Sequence, residues 1–517
     1  MQFVHEINLK STIEVTLLAV AFVSSVTLLT WLVTDIKYRV AANRAGCSIP
    51  KRYFHWDPFL GLDLFFLRIS DMKAGDSIAT DTNLIKRYGK TVQTNSWGTK
   101  QYVISDPINI QTILTTQVDN FGSAPMNRKM CADFLGDGVM TVDGHAWKQS
   151  RQMINPVFAR AQVSELSSFE KHLAQMIDQI PKSGGTIDMQ PLCKRLFLDS
   201  SSEFVFGKSA NSLSPETDSP IARRLPGLFD EALVGMFTRF MMGKFSFMAG
   251  SKRKYLEQCK AVHDIIDGFI DEEIELQKEM KENGKTNAKN GTPYSYVLLK
   301  ELAKETEDRR VIRNELMNVF FPARDTAAIL LSNVLFLLAR HPEKWEKLRS
   351  EVLGIKDKKL TFELLKSLKY MQAVMNETLR LHSPAGGSWK TCLAPSILPH
   401  GGGKSGKEPI LLQTGDQVRM SFAPLHVDPE IWGEDANEFK PERWQNLKQS
   451  WNFIPFMGGR RICPAQQNVL TDVACIMVRL MQKYKALENR DECYEYVDRI
   501  VFTRESKHGA KVGFIPA

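Results

Sequence analysis

The feature that most constrains this 517-residue chain is the stretch FMGGRRICPAQQ at 456–467, about fifty residues before its C-terminus. Its one cysteine, Cys463, lies between two arginines and a helix predicted over Gln466 to Lys483. Gly458 and Gly459 carry no Cβ, so the backbone there can approach a flat group closely. The positive end of the following helix points back at the sulfur and favours thiolate over thiol. The stretch therefore predicts a tight turn that presents a thiolate.

A thiolate held beside an arginine is a good axial ligand for haem iron. The pattern Phe456-x-x-Gly459-x-Arg461-x-Cys463 resembles the haem-binding loop of the cytochrome P-450 superfamily. The resemblance implies haem b with Cys463 as its axial thiolate, Arg461 as a haem-propionate partner, and Phe456 and Gly459 as further haem contacts. The family usually has glycine two residues after the cysteine, and this chain has Ala465. Without the resemblance, a buried free cysteine in a turn is the alternative.

Two further motifs precede the cysteine loop in the family's order. Glu377 and Arg380 are three residues apart on a helix predicted over Leu368 to His382, so they share one face. They match the family's Glu-x-x-Arg element, and Arg443 lies in its later Pro-Glu-Arg-Trp partner. The resemblance implies an ion triad of Glu377, Arg380 and Arg443 that is structural, not catalytic, and supports the cysteine loop.

A helix of about 30 residues, roughly 45 Å long, is predicted from Val311 to Arg340. Pro322 lies at its middle and should kink it, because proline cannot donate to a carbonyl one turn back. The region resembles the family's oxygen-binding groove: Asp325 and Thr326 match, whereas Pro322 and Ala323 replace a small residue and glycine. The resemblance implies that Thr326 and Asp325 are catalytic and relay protons. An ordinary kinked core helix is the alternative, although a carboxylate there would be costly without a use or a partner.

Other residues are candidates for the haem surroundings and the substrate pocket. Trp147 and Arg151, four residues apart, share a helix face and could both reach a haem propionate, unless they are a plain surface pair. Residues 121–128 are predicted to form a loop over the haem, which makes Phe121 a candidate pocket wall. Residues 383–390 should run along the haem edge, so Trp389 and Ala323 are further pocket candidates, and Lys390 is a candidate propionate partner.

The N-terminal region predicts a membrane anchor. Residues 15–33 carry no charge and span roughly 28 Å as a helix, close to the thickness of a bilayer core. Basic residues are more frequent after this run than before it, which places the rest of the chain in the cytoplasm. A cleaved signal peptide is the alternative, but the run is too long and its basic side is downstream. We therefore predict a short non-cytoplasmic N-terminus at 1–14, an anchor at 15–33, a basic linker at 34–80 and a haem-thiolate monooxygenase domain at 81–517.

The overall charge and cysteine content limit which kinds of binding partner and which cellular compartment the sequence favours. The net charge of +8 suits an anionic membrane surface or an acidic partner, but it is too diffuse to imply nucleic acid. The eight cysteines include no C-x-x-C pair, which indicates a reducing compartment and argues against a zinc ribbon. The stretch from Leu225 to Met248 is rich in Phe and Met. In the resembling family this region roofs the pocket and dips into the membrane.

The resemblance spans about 81–517 and implies a mainly α fold with a small β lobe, to which we add one N-terminal transmembrane helix. The implied reaction inserts one oxygen atom of O₂ into a C–H bond of a lipophilic small molecule. Electrons would come from NADPH through a membrane-bound reductase, with cytochrome b5 as a second candidate donor. The expected location is the endoplasmic reticulum membrane, with a single pass and a cytoplasmic catalytic domain.

The substrate stays open between two groups that the chain resembles equally: fungal hydroxylases of alkanes and fatty acids, and fungal oxygenases of secondary metabolism. Two other classes are also open. One is a haem-thiolate isomerase or dehydratase that needs no O₂, against which the intact Asp325–Thr326 pair argues. The other is a non-catalytic haem sensor, which has little need of a proton relay and a large apolar roof.

Overall fold

The computed structural model describes residues 29–161, 166–214, 220–282, 297–356, 358–445 and 450–517, with single positions 15, 18, 22, 25, 26 and 447. The predicted N-terminus at 1–14, and much of the anchor predicted at 15–33, lie outside the described residues. A helix, α1, covers residues 29–44. The description below concerns the described residues alone.

Helices account for 60% of the structure and strands for 13%, so the predicted mainly α fold with a small β part is confirmed. After α1 the helices are α2 (Leu62–Ala74), α3 (Ala79–Tyr88), α4 (Pro107–Gln111), α5 (Ala124–Leu135), α6 (Gly144–Ala161), α7 (Ser167–Asp178), α8 (Met189–Phe206), α9 (Pro220–Met242), α10 (Lys252–Glu282), α11 (Leu298–Glu305), α12 (Arg309–Arg340), α13 (Pro342–Leu353), α14 (Phe362–Ser367), α15 (Lys369–Leu381), α16 (Phe422–His426), α17 (Pro429–Trp432) and α18 (Gln466–Lys483). Short 3-10 turns cover Val118–Asn120, Gly243–Met248, Pro441–Gln445 and Gly459–Arg461, and a π-helical turn covers Thr112–Thr116.

Four small sheets complete the described part of the chain. The strands are β1 (Lys51–Arg52), β2 (Thr91–Ser96), β3 (Thr99–Ile104), β4 (Phe121–Gly122), β5 (Thr186–Asp188), β6 (Gly387–Cys392), β7 (Ser396–Gly402), β8 (Glu408–Leu412), β9 (Gln417–Ser421), β10 (Tyr484–Asn489), β11 (Asp498–Val501), β12 (Thr503–Ser506) and β13 (Lys511–Pro516). The β lobe is a six-stranded sheet in the order β1-β2-β3-β9-β6-β4. The hairpins β7–β8 and β11–β12 and the sheet β10-β13-β5 pack beside the helices.

Helix α12 is the central element of the core. Almost all of its side chains from Asn314 to Arg340 are buried. It is the one described helix that is long and apolar enough to cross a bilayer, and 83% of its most apolar window is buried inside the protein, as expected of a core helix. Its N-terminus is capped by Asp308, whose carboxylate accepts from the N–H groups of Arg310 and Val311. This prediction of a long helix across the domain is confirmed.

One predicted loop is wrong. Residues 121–128 do not form a loop, because Phe121 and Gly122 pair with Cys392 and Thr391 as strand β4, and α5 follows directly from Ala124. The ring of Phe121 is buried in the apolar core of the β lobe. Pro125 is the sequence signal for the start of this helix, because proline is favoured in the first turn of a helix, where its missing N–H is not needed.

Helix α1 is packed onto the β lobe. Tyr38 is 1% exposed, and its hydroxyl donates to the carbonyl of Leu411 over 3.1 Å. The carboxylate of Asp35 pairs with Arg39 in the same helix and with Arg52 on β1. These contacts join the segment that follows the predicted anchor to the β7–β8 hairpin through Leu411 and to the six-stranded sheet through Arg52.

Candidate functional site

The middle of α12 faces an open space inside the protein. Between Asn314 and Arg340 every side chain is buried except Pro322, Ala323 and Thr326. Because the helix is enclosed by other elements, partial exposure at these three positions marks the wall of an internal cavity. We call residues 322–326 the open stretch of α12. Three of the four residues that the sequence proposed for an oxygen-binding groove therefore border this space.

The polar groups of the open stretch have partners within the protein. The Thr326 hydroxyl donates to the carbonyl of Pro322 over 2.8 Å. The Asp325 carboxylate accepts from Arg324 Nε at 3.0 Å, and Arg324 in turn pairs with Asp230 on α9. Burial opposes its charge, but Asp325 and Asp230 raise the pKa of Arg324 above its ordinary value. The partner that a buried carboxylate requires is thus Arg324, which the sequence analysis missed although it lies between Ala323 and Asp325.

The cysteine loop is closed by its own backbone. The N–H of Cys463 donates to the carbonyl of Phe456 over 3.0 Å, and α18 begins three residues later, as predicted. Gly459 has φ +64°, and a Cβ there would overlap the carbonyl oxygen of Leu114. This close approach to another protein segment is one reason for the glycine that the sequence analysis did not foresee.

Without a bound metal ion, the protein does not lower the pKa of the Cys463 thiol. Burial raises the pKa of Cys463 above its ordinary value, and the N–H groups of Ala465 and Gln466 with the charge of Arg151 offset only part of this effect. The start of the helix does favour the thiolate, as the sequence predicted, but burial outweighs this effect. A coordinating metal ion deprotonates a thiol outright, so an iron at this sulfur would supply the missing stabilisation.

A cluster of cationic side chains lies next to the cysteine loop. Arg151 Nη2 donates to the carbonyl of Ile462 over 2.8 Å, and the guanidinium of Arg461 stacks 4.8 Å from the ring of Trp147. Arg461 also pairs with the carboxylate of Asp143. The structure thus brings Trp147, Arg151 and Arg461 together beside the cysteine loop, and their predicted contact with a haem propionate stays a prediction.

The buried ammonium of Lys390 extends this cluster through Ser123. Its Nζ donates to the hydroxyl of Ser123 over 2.5 Å, and the Ser123 N–H donates to Asp143. Burial, and then the charge of Arg461, lower the pKa of Lys390 to about 7, with Asp143 opposing. We call Arg151, Arg461, Lys390 and Asp143, with Trp147, the cationic cradle.

The charges of the cationic cradle fit the haem. Three cationic groups face one carboxylate, which leaves a net charge of +2, and burial lowers the pKa of Arg151, Arg461 and Lys390 below their ordinary values. Uncompensated buried cations are costly. Haem brings two propionate carboxylates, whose charge would balance this excess beside a cysteine thiol. The residues present are therefore those that a haem-thiolate centre needs.

The ion triad is fully formed behind the loop. Glu377 is completely buried and accepts from Arg380 Nε and Arg443 Nε, each over 2.8 Å. Arg380 Nη1 also donates to the carbonyl of His426, and the ring Nε2 of His426 accepts from the N–H of Ile454, just before the cysteine loop. Burial, with Arg380 nearby, lowers the pKa of His426 to about 3, so the ring stays neutral and keeps this bond. His426 is a link between triad and loop that the sequence analysis did not identify.

A row of aromatic rings runs from the β lobe to the open stretch. Trp389 on β6 lies 5.4 Å from Phe240 on α9, which is 6.4 Å from Phe502 between β11 and β12. Phe502 in turn lies 4.7 Å from Phe321, next to Pro322. Of the three pocket candidates, Trp389 is at one end of this row, Ala323 lies on the open stretch two residues after Phe321 at the other end, and Phe121 does not belong to the row.

Comparison with known proteins agrees with this geometry. The family model "Cytochrome P450" matches residues 64–509, so the chain belongs to the cytochrome P450 family and is a P450 monooxygenase. The family implies a haem-thiolate cofactor, and its monooxygenases generally need a reductase partner.

The individual relatives are fungal. The chain is 36% identical to "Cytochrome P450 monooxygenase iliC" of Neonectria sp., over 92% of this chain and 94% of the relative. It is 35% identical to "Cytochrome P450 monooxygenase apdE" of Emericella nidulans, over 89% of this chain and 87% of the relative. It is 36% identical to "Cytochrome P450 52A4" of Candida maltosa, over 77% of this chain and 76% of the relative.

Proposed function

We propose that this chain binds haem b through the sulfur of Cys463 and inserts one oxygen atom of O₂ into a C–H bond of a lipophilic substrate. The observation that carries the proposal is the meeting of three features around one internal space: the open stretch of α12, the thiol of Cys463 and the cationic cradle. A fatty acid, an alkane or a secondary metabolite is the substrate class that we infer from the aromatic row and the fungal relatives.

Different residues would bind the haem and support the cysteine loop. Bound haem supplies the redox chemistry with O₂, and the thiolate of Cys463 tunes it. Arg151, Arg461 and Lys390 would hold the propionates, and the triad of Glu377, Arg380 and Arg443 keeps the loop in place.

The residues that would deliver protons to the site lie on α12. Thr326 borders the internal space, and its hydroxyl, which now donates to the Pro322 carbonyl, would turn to donate a proton there. Asp325 lies one residue away and, through Arg324, connects with Asp230, whose side chain is 57% exposed on the surface. The guanidinium of Arg324 stays charged and does not pass a proton, so its part is to position the Asp325 carboxylate, while Asp325 and Thr326 are the groups that can hold or pass one.

A membrane location is part of the proposal. Besides the predicted anchor, exposed apolar side chains gather on one face: Phe54, Trp56 and Phe59 before α2, Phe66 and Leu67 on α2, and Phe247 and Met248 after α9. Trp97 joins these segments, since its ring contacts both Phe65 and Phe245. We call this the apolar face. The Asp35–Arg52 pair connects α1, which follows the predicted anchor, to the strand leading into this face.

The experiment that tests the proposal is turnover under ¹⁸O₂. The full chain, reconstituted with an NADPH-dependent reductase and a lipophilic substrate, should consume NADPH and give a product that carries one ¹⁸O atom. A product formed without NADPH consumption or label would instead support a haem-thiolate isomerase or dehydratase. No product from a broad panel, and no perturbation of the haem spectrum by any compound in it, would favour a sensor.

A further inference from the structure

Helix α9 contributes a carboxylate that shares one guanidinium with the open stretch of α12. Arg324 Nε donates to Asp325 Oδ1 over 3.0 Å, and Arg324 Nη2 donates to Asp230 on α9. The guanidinium also lies 5.1 Å from the ring of Phe229, the residue before Asp230. Arg324 and Asp325 are 7% and 6% exposed, whereas the side chain of Asp230 is 57% exposed. One buried cation therefore connects α12 with α9.

The two ion pairs of Arg324 differ in how easily they break. The Asp230 carboxylate can turn into water at little cost, and ion pairs with such an exposed partner contribute little to stability. The Asp325 carboxylate is buried, so parting from its cation would leave an unpaired charge inside the protein, which is costly. Arg324 can therefore release Asp230 but not Asp325.

The bond between Arg324 and Asp325 leaves most of the carboxylate free. Within the described residues, Asp325 accepts a single hydrogen bond, the one from Arg324 Nε. The structural carboxylate of Glu377 instead accepts two bonds from Arg380 and one each from Arg443, Trp444 and the N–H of Lys440. An ionised carboxylate has about four acceptor sites. Glu377 is thus saturated, whereas Asp325 has sites left with which to hold a proton beside Thr326.

Helix α9 also carries part of the wall of the site. Phe240 of the aromatic row lies about 15 Å from Asp230 along α9. Packed helices shift largely as units. A substrate that packs against Phe240 therefore also influences the distance between Asp230 and Arg324.

We propose that Asp230 is a positioning residue for proton delivery: by binding Arg324 Nη2, it keeps Arg324 from taking both oxygens of Asp325. Without Asp230, Arg324 would hold Asp325 through Nε and Nη2 together, in the forked geometry that guanidinium and carboxylate favour. Asp325 would then have fewer acceptor sites for a proton on its way to Thr326. The inference rests on the proposed function and adds that the position of α9 against the substrate controls the supply of protons.

Proton supply decides the fate of O₂, which gives the test its readout. With two electrons from one NADPH and two protons, O₂ leaves as hydrogen peroxide. With four electrons from two NADPH and four protons, it becomes two waters, and with a substrate, two electrons and two protons give the product and one water. The last two reactions cleave the O–O bond, which needs protons delivered at the site. Peroxide formed per NADPH consumed should therefore rise when delivery slows, with or without a substrate.

Asp230→Asn removes the charge and keeps the shape of the side chain. The full chain in nanodiscs, with haem and an NADPH-dependent reductase, is assayed without substrate and with dodecane. We expect peroxide per NADPH to rise about twofold or more in both assays, and the solvent deuterium isotope effect on water and product formation to rise about 1.5-fold. The haem spin-state response to dodecane and hydrogen exchange in α9, neither of which requires turnover, should stay as in the wild-type protein. An unchanged peroxide yield, or one that rises only together with faster exchange in α9, would overturn the inference.

Two further variants separate the charge of Asp230 from a general loss of ion pairs. Asp230→Glu keeps the charge and should restore the wild-type peroxide yield. Asp271→Asn is the matched control, because Asp271 on α10 is 47% exposed and pairs with Arg309 at the start of α12. This control should leave the peroxide yield within about 1.2-fold of wild type. An equal rise in Asp271→Asn would refute the role of Asp230. Should Asp230→Asn not fold, Asp230→Ser is measured in its place.

A double substitution tests whether Asp230 acts through the relay. In a Thr326→Ala background the relay is already interrupted, so Asp230→Asn should change the peroxide yield by less than about 1.2-fold. Independent effects that multiply would place Asp230 outside the relay and overturn the inference.

The two proposals fail differently. A labelled product under ¹⁸O₂, with a peroxide yield that does not depend on Asp230, refutes this inference and leaves the monooxygenase intact. A chain that consumes no NADPH and gives no labelled product refutes the proposed function itself.

Discussion

Single side chains on α12 combine a structural and a chemical role. Thr326 bonds to the carbonyl of Pro322 and still borders the internal space, and the buried carboxylate of Asp325 is held beside it by Arg324. An alanine at 326 would leave the fold untouched, because it removes only a hydroxyl whose bond lies within its own helix. The hydroxyl should nevertheless matter, because the proposed chemistry needs a proton donor at that place.

We expect Thr326→Ala to retain haem and to consume NADPH, but to lose about tenfold or more in product formed per NADPH, with hydrogen peroxide released instead. Thr326→Ser keeps the hydroxyl and serves as the matched control. The measurement is the ratio of product and of peroxide to NADPH consumed. An unchanged product yield in the alanine variant would remove Thr326 from the relay.

Lys390 should make haem binding depend on pH. Its pKa of about 7 means that the haem-free protein loses the Lys390 proton as the pH rises through that value. A propionate beside the ammonium favours the charged form and raises its pKa, so haem binding takes up a proton above pH 7. Haem affinity should therefore fall as the pH rises from 7, by up to about tenfold per pH unit.

The check is the transfer of haem to an excess of a haem-accepting protein between pH 6 and pH 9. In Lys390→Met the slope above pH 7 should largely disappear. Identical slopes in the two proteins would show that Lys390 does not contact a propionate.

At the scale of elements, α12 also positions the segment between α5 and α6. Asn318 is buried on α12; its Oδ1 accepts from the N–H of Met140, and its Nδ2 donates to the carbonyl of Leu135, each over 2.9 Å. A Cβ at Gly138 would lie 2.5 Å from Asn318 Nδ2. The segment leads into Asp143 and α6, which carries Trp147 and Arg151, so its fit against α12 sets one side of the cationic cradle.

Gly138→Ala should therefore lower the free energy of unfolding by about 1–3 kcal/mol, as expected of overpacking, and reduce haem content. Gly268 lies on α10, and a Cβ added there would have no atom within 4 Å. Gly268→Ala should therefore raise the free energy of unfolding by up to about 1 kcal/mol, because alanine favours a helix more than glycine does. For each variant, the free energy of unfolding is measured by denaturant titration, and the haem content of the purified protein is measured by absorbance. Similar effects from the two substitutions would show that the contact with Asn318 is unimportant.

The elements show what a sequence can and cannot reveal. Helix α18 was predicted at its observed bounds, and α12 within two residues, because caps, length and apolar content are local signals. The strand at Phe121 was missed because a two-residue strand is defined by its partner β6, which lies far along the chain. Asp143 and His426 were missed for the same reason: each acts through a residue on another element, and a single sequence does not show which one. Arg324 is different, because its partner Asp325 is the next residue in the chain.

For the molecule as a whole, the apolar face and α1 determine how the chain meets a bilayer. Phe247 is 75% and Trp56 70% exposed, which is unusual for large aromatic side chains unless a surface covers them. Removing residues 1–33 should therefore loosen membrane attachment without abolishing it, and without loss of haem.

In that shortened chain, Trp56→Asp with Phe247→Asp should reduce partition into anionic vesicles about tenfold or more, because each aromatic buried in lipid contributes about 1.5–3 kcal/mol. Leu353→Asp, at an exposed apolar position on α13, is the control and should have little effect. Vesicle sedimentation gives the measurement. Equal loss in the control would mean that charge alone, rather than the apolar face, governs binding.

The proposed activity of this protein requires a bond between iron and the sulfur of Cys463. The direct measurement is the carbon monoxide difference spectrum of the reduced, purified full chain. We predict a thiolate-type band in the wild-type protein, its loss in Cys463→Ser, and its retention in Cys493→Ser, which alters a half-exposed cysteine near β11. A thiolate-type band that survives in Cys463→Ser, or a wild-type protein that takes up no haem, would contradict the account.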